Sequence, residues 1–125
     1  MPRVTHFEVH ADQPERAMAF YSQVFGWVFE RFGEYDYWLI RTGDPDEPGI
    51  DGGLVRRRGA IDGRSVIAFV CTLDVEDLDQ TIRIVEAAGG KPLVEKFAVA
   101  GTGWLAYAKD PEGNIFGMMQ SDKTA

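Results

Sequence analysis

Apolar residues follow two different spacings along the chain, and the alternation between them predicts strands and helices. Residues 4–10 alternate, with Phe7 and Val9 on one face and His6, Glu8 and His10 on the other, which is typical of a half-buried strand. From Asp12 the apolar residues recur at helical spacing, and Gly26 follows where a glycine typically ends a helix. The apolar stripe of this predicted helix consists of Ala17, Phe20, Tyr21, Val24 and Phe25.

Only strands follow this helix until a second strand–helix pair begins. Residues typical of turns separate three predicted strands, at 27–32, 35–42 and 50–56. The apolar segment 66–73 then predicts a buried strand, Asp74 and Asp77 are typical of a helix start, and Gly89 is typical of its end. The second helical stripe consists of Leu78, Ile82, Val85 and Ala88. The last predicted strands span 91–98, 102–109 and 114–120.

The order of strand, helix and three strands therefore occurs twice, and the two copies align at an offset of 64 residues. This offset superimposes glycines and turns, namely Gly26 on Gly90, Gly53 on Gly117, and 46–49 on 110–113. A duplicated half-domain explains these matches, and because each half is too small to be stable alone, we expect a shared core. The predicted modules span 4–56 and 66–120, with a linker at 57–65.

Composition and charge narrow the class of protein. The 125 residues are 45% apolar and 26% charged, which fits a single globular domain. The net charge of −7 disfavours nucleic acid as a partner, because nucleic-acid binding needs a basic surface. No apolar run approaches the roughly 18–20 residues of a membrane span, and we expect no secretory signal. With one cysteine, neither a disulfide framework nor a cysteine-rich zinc site is expected, which favours a cytoplasmic location.

Two motifs of the sequence resemble those of a known family. The first is the segment 14–21 with its continuation at 24–27, and the second is Asp110-Pro111-Glu112-Gly113-Asn114 before the last strand. With them, residues 4–120 resemble the vicinal oxygen chelate superfamily of glyoxalase I, bleomycin-resistance proteins and extradiol dioxygenases. The resemblance implies an α+β fold in which two βαβββ modules form an eight-stranded mixed sheet, curled into a cup with the helices outside. It also implies a homodimer.

Metal-dependent members of that superfamily bind a divalent ion in the cup through four ligands, typically His or Glu. The resemblance places these ligand positions at His6, Gly53, Val70 and Gly117. Valine and glycine side chains offer no donor atom, so we expect a cup without the four-ligand site and without a cofactor. An alternative metal site would use a pair among His6, Glu8 and His10, which share one strand face, with a third ligand from elsewhere such as Asp51.

His6 and Glu8 are also the candidate catalytic side chains. A carboxylate inside a cup needs a partner, and a desolvated Glu8 would be suited to act as a general base. The structural alternative for Glu8 is an ion pair with Arg41 or Arg56. For His6, the alternative is a hydrogen bond to a neighbouring strand.

Aromatic and sulfur-containing side chains near the glycine positions predict a binding site for a planar or apolar small molecule. The glycines would let such a molecule approach the backbone closely. The alternative is that the rings fill the cup or a dimer interface. The candidate ligand-binding residues are Tyr37, Trp38, Gly53, Trp104, Gly117 and Met119.

Two further features receive structural interpretations. Cys71 shares a predicted helix-side face with Phe69 and Leu73, so we expect an inert core residue. The arginines at 56–58 and 64 are interpreted as solvated linker residues, with an anion site as the alternative.

Three functions are compatible with these patterns. The favoured one is a metal-independent protein that binds a small apolar or aromatic molecule. The second is an enzyme of the same superfamily, a lyase, isomerase or dioxygenase, which uses His6 and Glu8 with a divalent metal or as acid and base. The third is a structural or interaction module, which the predicted aromatic site disfavours. Neither nucleic acid nor a membrane is expected as a partner.

Overall fold

A computed structural model describes residues 2–57 and 69–125, which contain eight strands and two helices. The first series comprises β1 (Val4–Ala11), α1 (Pro14–Phe25), β2 (Val28–Arg31), β3 (Tyr37–Arg41) and β4 (Gly52–Arg56). The second series comprises β5 (Phe69–Asp74), α2 (Leu78–Ala87), β6 (Lys91–Val99), β7 (Gly103–Lys109) and β8 (Ile115–Ser121). The predicted α+β order of two βαβββ series is therefore confirmed. The predicted strand start at 66–68 and most of the linker lie outside the described residues.

The chain forms two compact units, a first unit of residues 6–70 and a second unit of residues 1–5 with 71–125. The start of β1 belongs to the second unit, where the backbone N–H of Asp74 donates to the carbonyl of Arg3 over 2.9 Å. In sheet order, the strands are β2-β3-β4-β1 followed by β5-β8-β7-β6, so the predicted mixed sheet of eight strands is confirmed.

In the first unit, the alternation of β1 separates an apolar core from a more polar face. Strand β1 is parallel to β4, and β3 is antiparallel to both β2 and β4. The core consists of Phe7, Val9, Ala11, Trp38, Ile40 and Leu54. It packs against Ala17, Met18 and Tyr21 of α1. Because neighbouring residues of a strand point to opposite sides, the other side carries a set that we call the open face, namely His6, Glu8, Tyr37, Leu39 and Gly53.

The second unit repeats this arrangement with smaller core residues. Strand β5 is parallel to β8, and β7 is antiparallel to both β8 and β6. The core consists of Val75, Leu78, Ala106, Ala108 and Met118. Partly buried side chains of Ile82, Val85, Trp104 and Phe116 pack against it.

The helix ends agree with the sequence at three of four positions. Gly26 ends α1 with a φ of 74°, as predicted, and Gly89 follows the end of α2 with a φ of 98°. Asp77 caps α2, where its carboxylate accepts the N–H of Gln80 over 3.0 Å. The prediction that Asp12 starts α1 is wrong by one residue, because Gln13 is the N-cap. Neither described helix is long and apolar enough to cross a membrane.

Part of the predicted apolar stripe of α1 is not buried. The buried side of the helix runs through Pro14, Ala17, Met18 and Tyr21, which recur at intervals of three and four residues. Phe20 and Val24 lie beside this line and are 53% exposed, and Phe25 is 61% exposed. The prediction that these three residues pack against the core is therefore wrong. Met18, which the predicted stripe did not include, packs against the core instead.

Cys71 is also placed differently from the prediction. Its side chain is exposed, and Phe69 on the same face is 50% exposed, whereas the intervening Val70 and Thr72 are each 4% exposed. The alternation of β5 was predicted correctly, but the face that is buried is the opposite one. The helix α2 packs mainly on β6, β7 and β8, and Cys71 stays exposed.

Candidate functional site

The open face of the first unit brings the two candidate catalytic side chains together with two candidate ligand-binding residues, Tyr37 and Gly53. His6 and Glu8 stand two residues apart on β1, and β4 places Gly53 directly beside Glu8. Strand β3 then pairs Leu39 with Gly53, so Tyr37 lies on the same face, two residues away. His6 and Tyr37 are half-buried, and Leu39 is 42% exposed.

The hydroxyl of Tyr37 links His6 to Glu8. Nε2 of His6 lies 3.1 Å from the Tyr37 hydroxyl oxygen, and the hydroxyl is hydrogen-bonded to the Glu8 carboxylate. A carboxylate accepts and a tyrosine has one proton to give, so Tyr37 donates to Glu8. Nε2 of His6 is then the donor to the Tyr37 oxygen. This order defines a chain of hydrogen bonds that ends on the carboxylate.

Burial and the Glu8 charge set the protonation states within this chain. Burial raises the pKa of Tyr37 far above its usual value of 10.0, and the charge of Glu8 and the hydrogen bond to it act in the same direction. Burial lowers the pKa of His6 below 6.5, while the charge of Glu8 opposes that shift. At neutral pH the phenol therefore keeps its proton and the imidazole is uncharged.

Tyr37 also explains why residue 53 is a glycine. A Cβ at Gly53 would overlap the hydroxyl and the ring of Tyr37, so any larger residue would force the ring away from His6 and Glu8. The sequence predicted that Gly53 leaves room for a ligand, whereas this room holds the tyrosine. The prediction of Tyr37 as a stacking residue also missed the role of its hydroxyl.

The second unit places a tyrosine over a glycine as well, but without the ionisable pair. Tyr107 is the cross-strand neighbour of Gly117, and a Cβ at Gly117 would lie 3.1 Å from the ring of Tyr107 and 3.0 Å from the hydroxyl oxygen of Thr72. At the offset of the repeat, Val70 and Thr72 correspond to His6 and Glu8. Met119, the remaining predicted ligand contact, is half-buried two residues further along β8.

The two predicted tryptophan contacts are corrected by the structure. Trp38 is 8% exposed and lies in the core under α1. It is next to Tyr37 in the strand, so its side chain points away from the open face. Trp104 packs with the core under α2, donates from Nε1 to Asp122 over 3.2 Å, and carries Lys96 5.1 Å from its ring centre. Both rings point to the helix side because strand alternation gives them the opposite parity to Tyr37 and Tyr107.

Of the two arginines expected to pair with Glu8, Arg56 pairs with Asp36 over 2.9 Å. A carboxylate oxygen of Glu8 lies 3.9 Å from Nε2 of His10. Arg57 pairs with Asp12 over 2.8 Å, so it is not the solvated linker residue that the sequence predicted. The arginines at 58 and 64 lie outside the described residues.

The four family ligand positions do not fit a divalent ion. Gly53, Gly117 and Val70 have no donor atom, and Tyr37 fills the space over Gly53 that a ligating side chain would need. Throughout residues 2–57 and 69–125, no three His, Cys, Asp or Glu side chains are grouped so that they could hold a metal. Asp51, the suggested extra ligand, accepts hydrogen bonds from the backbone and hydroxyl of Thr42 instead.

Comparison with known proteins agrees with this fold. The model of the Glyoxalase/Bleomycin resistance protein/Dioxygenase superfamily matches residues 3–118. A Vibrio cholerae protein named "Probable lactoylglutathione lyase" is 30% identical over 125 residues, which cover 95% of this chain and 91% of that protein. The crystal structure of methylmalonyl-CoA epimerase from Mycobacterium tuberculosis superimposes with a TM-score of 0.65 at 15% identity, covering 95% of this chain and 87% of the other.

One curated relative is much longer than the region of similarity. A Mycobacterium bovis protein named "Putative glyoxylase CFP32" is 27% identical over 116 residues, which cover 90% of this chain but 42% of that protein. The chain thus spans less than half of the length of this relative.

Proposed function

Since the chain belongs to the Glyoxalase/Bleomycin resistance protein/Dioxygenase superfamily, we propose that it binds a small apolar or aromatic molecule on the open face without a metal ion. The observation that carries this proposal is the chain of hydrogen bonds from His6 through Tyr37 to Glu8. It provides polar groups that orient a ligand, beside the ring of Tyr37 and the exposed side chain of Leu39.

The polar groups of the open face favour a ligand that donates a hydrogen bond. The proton of Tyr37 is used by Glu8, and the Nε2 proton of His6 is used by Tyr37, so these side chains keep only acceptors, namely the carboxylate and phenol oxygens and Nδ1 of His6. An aromatic or apolar molecule with a hydroxyl or amide group matches such a surface. Gly117 and Met119 lie in the second unit and are not part of this proposed site.

1-Naphthol, a neutral aromatic molecule with one hydroxyl, is a suitable probe. We expect it to shift the backbone amide NMR signals of His6, Glu8 and Gly53 in the presence of excess EDTA. Tyr37→Ala removes the ring and the hydroxyl, and we expect it to weaken binding by about five- to tenfold. Tyr35→Ala is the matched control, because Tyr35 is 69% exposed outside the open face.

Two results would contradict this proposal. One is equal weakening by Tyr37→Ala and Tyr35→Ala, with both variants folded by their amide spectra. The other is a stoichiometric divalent ion in protein purified without chelator that is absent from His6→Ala.

A second candidate function is acid–base catalysis, which the contact between a carboxylate, a phenol and an uncharged imidazole favours. The Vibrio cholerae relative named "Probable lactoylglutathione lyase" supports an enzyme of this kind. Glu8 would accept a proton, and His6 with Tyr37 would hold its carboxylate in place. Turnover of methylglyoxal with glutathione that resists EDTA and is lost in Glu8→Gln would establish this candidate, whereas turnover unchanged in Glu8→Gln would exclude it.

We further propose that the protein is a cytoplasmic homodimer. The exposed side chains of Phe20, Val24 and Phe25 on α1 support an interface, since neighbouring exposed apolar side chains often mark one. Sedimentation equilibrium measures the mass in solution, and a monomer at all concentrations would contradict the dimer.

A further inference from the structure

A cavity of about 340 Å³ lies within the second unit, between α2 and the strands β6 and β7. Ile82 and Val85 line it from the helix, and Ala106 and Ala108 line it from β7. All of its lining residues belong to the second unit and are described by the structure. The open face belongs to the first unit, so the cavity is not part of the site proposed above.

Small core side chains lie beside this space. Under α1, the helix side of β3 carries Trp38 and Ile40, which are 8% and 1% exposed. Under α2, the helix side of β7 carries Trp104 together with Ala106 and Ala108, which are each 1% exposed. The two alanines fill less of this layer than larger side chains would, and the cavity lies beside them.

Strand β6 contributes one exposed apolar side chain to the cavity. Val94 is 42% exposed and lines it, whereas Phe97 pairs with Leu105 on the opposite face of the sheet. A concave site with an apolar floor is typical of a binding site for a small molecule. The floor therefore favours a ligand with an apolar body.

The rim of the cavity is acidic. Asp79, Glu86, Glu95 and Lys96 surround the apolar floor. Nζ of Lys96 pairs with Asp79 over 3.1 Å and also lies over the ring of Trp104, so this positive charge is already used. Among the described residues, Glu86 and Glu95 form no ion pair. The net charge of −7 adds a long-range attraction for cations.

We propose that this cavity is a second small-molecule site, which binds a cation with an apolar body, such as an alkylammonium ion. The apolar chain lies between α2 and β7, and the cationic group lies at the rim beside Glu86 and Glu95. An anion of the same length is repelled by these carboxylates, and a neutral molecule gains only from the apolar contact.

Three probes of equal chain length test this proposal on the full-length protein. At neutral pH octylamine is a cation, octanoate is an anion and 1-octanol is neutral. We expect octylamine to shift the amide NMR signals of Ile82, Val94 and Ala108 and to bind more tightly than either other probe. Equal affinities for the three probes, or shifts confined to other residues, would overturn the proposal.

The variant Glu86→Gln with Glu95→Gln tests the contribution of the rim. We expect it to weaken octylamine binding by about three- to tenfold and to leave 1-octanol binding unchanged, since each exposed charge pair contributes little. The matched control is Glu30→Gln with Glu112→Gln, which removes the same net charge from exposed residues outside the cavity. Equal weakening of octylamine binding by both double variants would mean that net charge alone causes the effect, and it would contradict the proposed site. Self-association that protects the β6 amides, without any octylamine shifts, would also overturn it by assigning the surface to a second copy.

Discussion

The first unit carries His6 and Glu8 on β1, where the second unit carries Val70 and Thr72 on β5. Both units place a tyrosine over a glycine of the last strand of their series. Only in the first unit does the tyrosine hydroxyl join an imidazole and a carboxylate. The repeat has thus kept the backbone pattern in both copies, while the side chains suited to acid–base chemistry stand in one.

The faces of the sheet that pack against the helices also differ between the units, and here the difference lies in the size of the core side chains. In the first unit, Trp38, Ile40 and Leu54 fill the layer under α1. In the second unit, Trp104, Ala106 and Ala108 occupy that layer, and a cavity lies beside the alanines under α2. One copy of the duplicated fold therefore has large core side chains beside a polar open face, and the other has a cavity beside small core side chains. Each unit can acquire its own binding properties without a change in strand order.

Substitution of the tryptophans is expected to produce the largest difference between the units. Trp38→Ala empties a core position that is 8% exposed, and we expect it to lower the free energy of unfolding by about 3–5 kcal/mol. Trp104→Ala removes a half-buried ring, and we expect a loss of about 1–2 kcal/mol because less apolar area leaves water. Urea unfolding followed by circular dichroism measures both values. Similar losses for the two variants would show that the cores are equally filled.

Substitution of the last-strand glycines is expected to have an intermediate effect. A Cβ at Gly53 would overlap Tyr37, so we expect Gly53→Ala to cost about 2–3 kcal/mol of unfolding free energy. At Gly117 the nearest atoms would be 3.0 Å away, and a small adjustment suffices, so we expect Gly117→Ala to cost about 1 kcal/mol or less.

Tyr37→Ala in the Gly53→Ala background is the control for this prediction. If Tyr37 causes the clash, the double variant loses less stability than the two single losses added together. Simple additivity in urea unfolding would mean that the close approach of Tyr37 to Gly53 is not what requires the glycine.

The contribution of His6 to the pH dependence of stability is expected to be the smallest effect, and it arises in the first unit. The pKa of His6 is lowered in the folded protein, so the unfolded chain takes up the proton first as the pH falls below about 6.5. His6 therefore destabilises the folded state below that pH and has no such effect above it. Each unit of pKa difference corresponds to about 1.4 kcal/mol.

His6→Gln removes this contribution. Between about pH 7.5 and about pH 5.5, we expect the variant to lose less unfolding free energy than the unsubstituted protein. His10 is present in both proteins and cancels in the comparison. An identical loss in both proteins, measured by urea unfolding at the two pH values, would contradict the burial of His6 as an uncharged side chain.

The sequence predicted the fold well because its local signals agree with one another. Alternation in β1, the αL glycine Gly26 and the acidic cap Asp77 each define an element from a few neighbouring residues. The repeat then made the second series follow from the first. The errors concern which faces are covered, as with Phe20 and Cys71, because coverage depends on where a helix lies on the sheet.

The candidate site was predicted in part. The alternation of side chains along β1 placed His6 and Glu8 on one face, and the internal repeat identified Gly53 as a position of interest. The side of the sheet on which Trp38 and Trp104 lie was not predicted. Both strands carry apolar side chains on both faces, and the alternation of side chains alone does not say which face meets the helix. Once the buried face of β3 is known, the alternation of side chains along the strand places Tyr37 on the open face and Trp38 in the core.

The sequence by itself determined the family, the duplicated βαβββ order and the absence of donor atoms at Gly53, Val70 and Gly117, because these follow from residue identity and local spacing. The tertiary structure decided that the Tyr37 hydroxyl joins His6 to Glu8 over Gly53, and that a cavity lies beside two alanines under α2. Both outcomes depend on strand register and on how side chains from different elements share a volume. Residues 31 positions apart, such as His6 and Tyr37, come within hydrogen-bond distance only through that register.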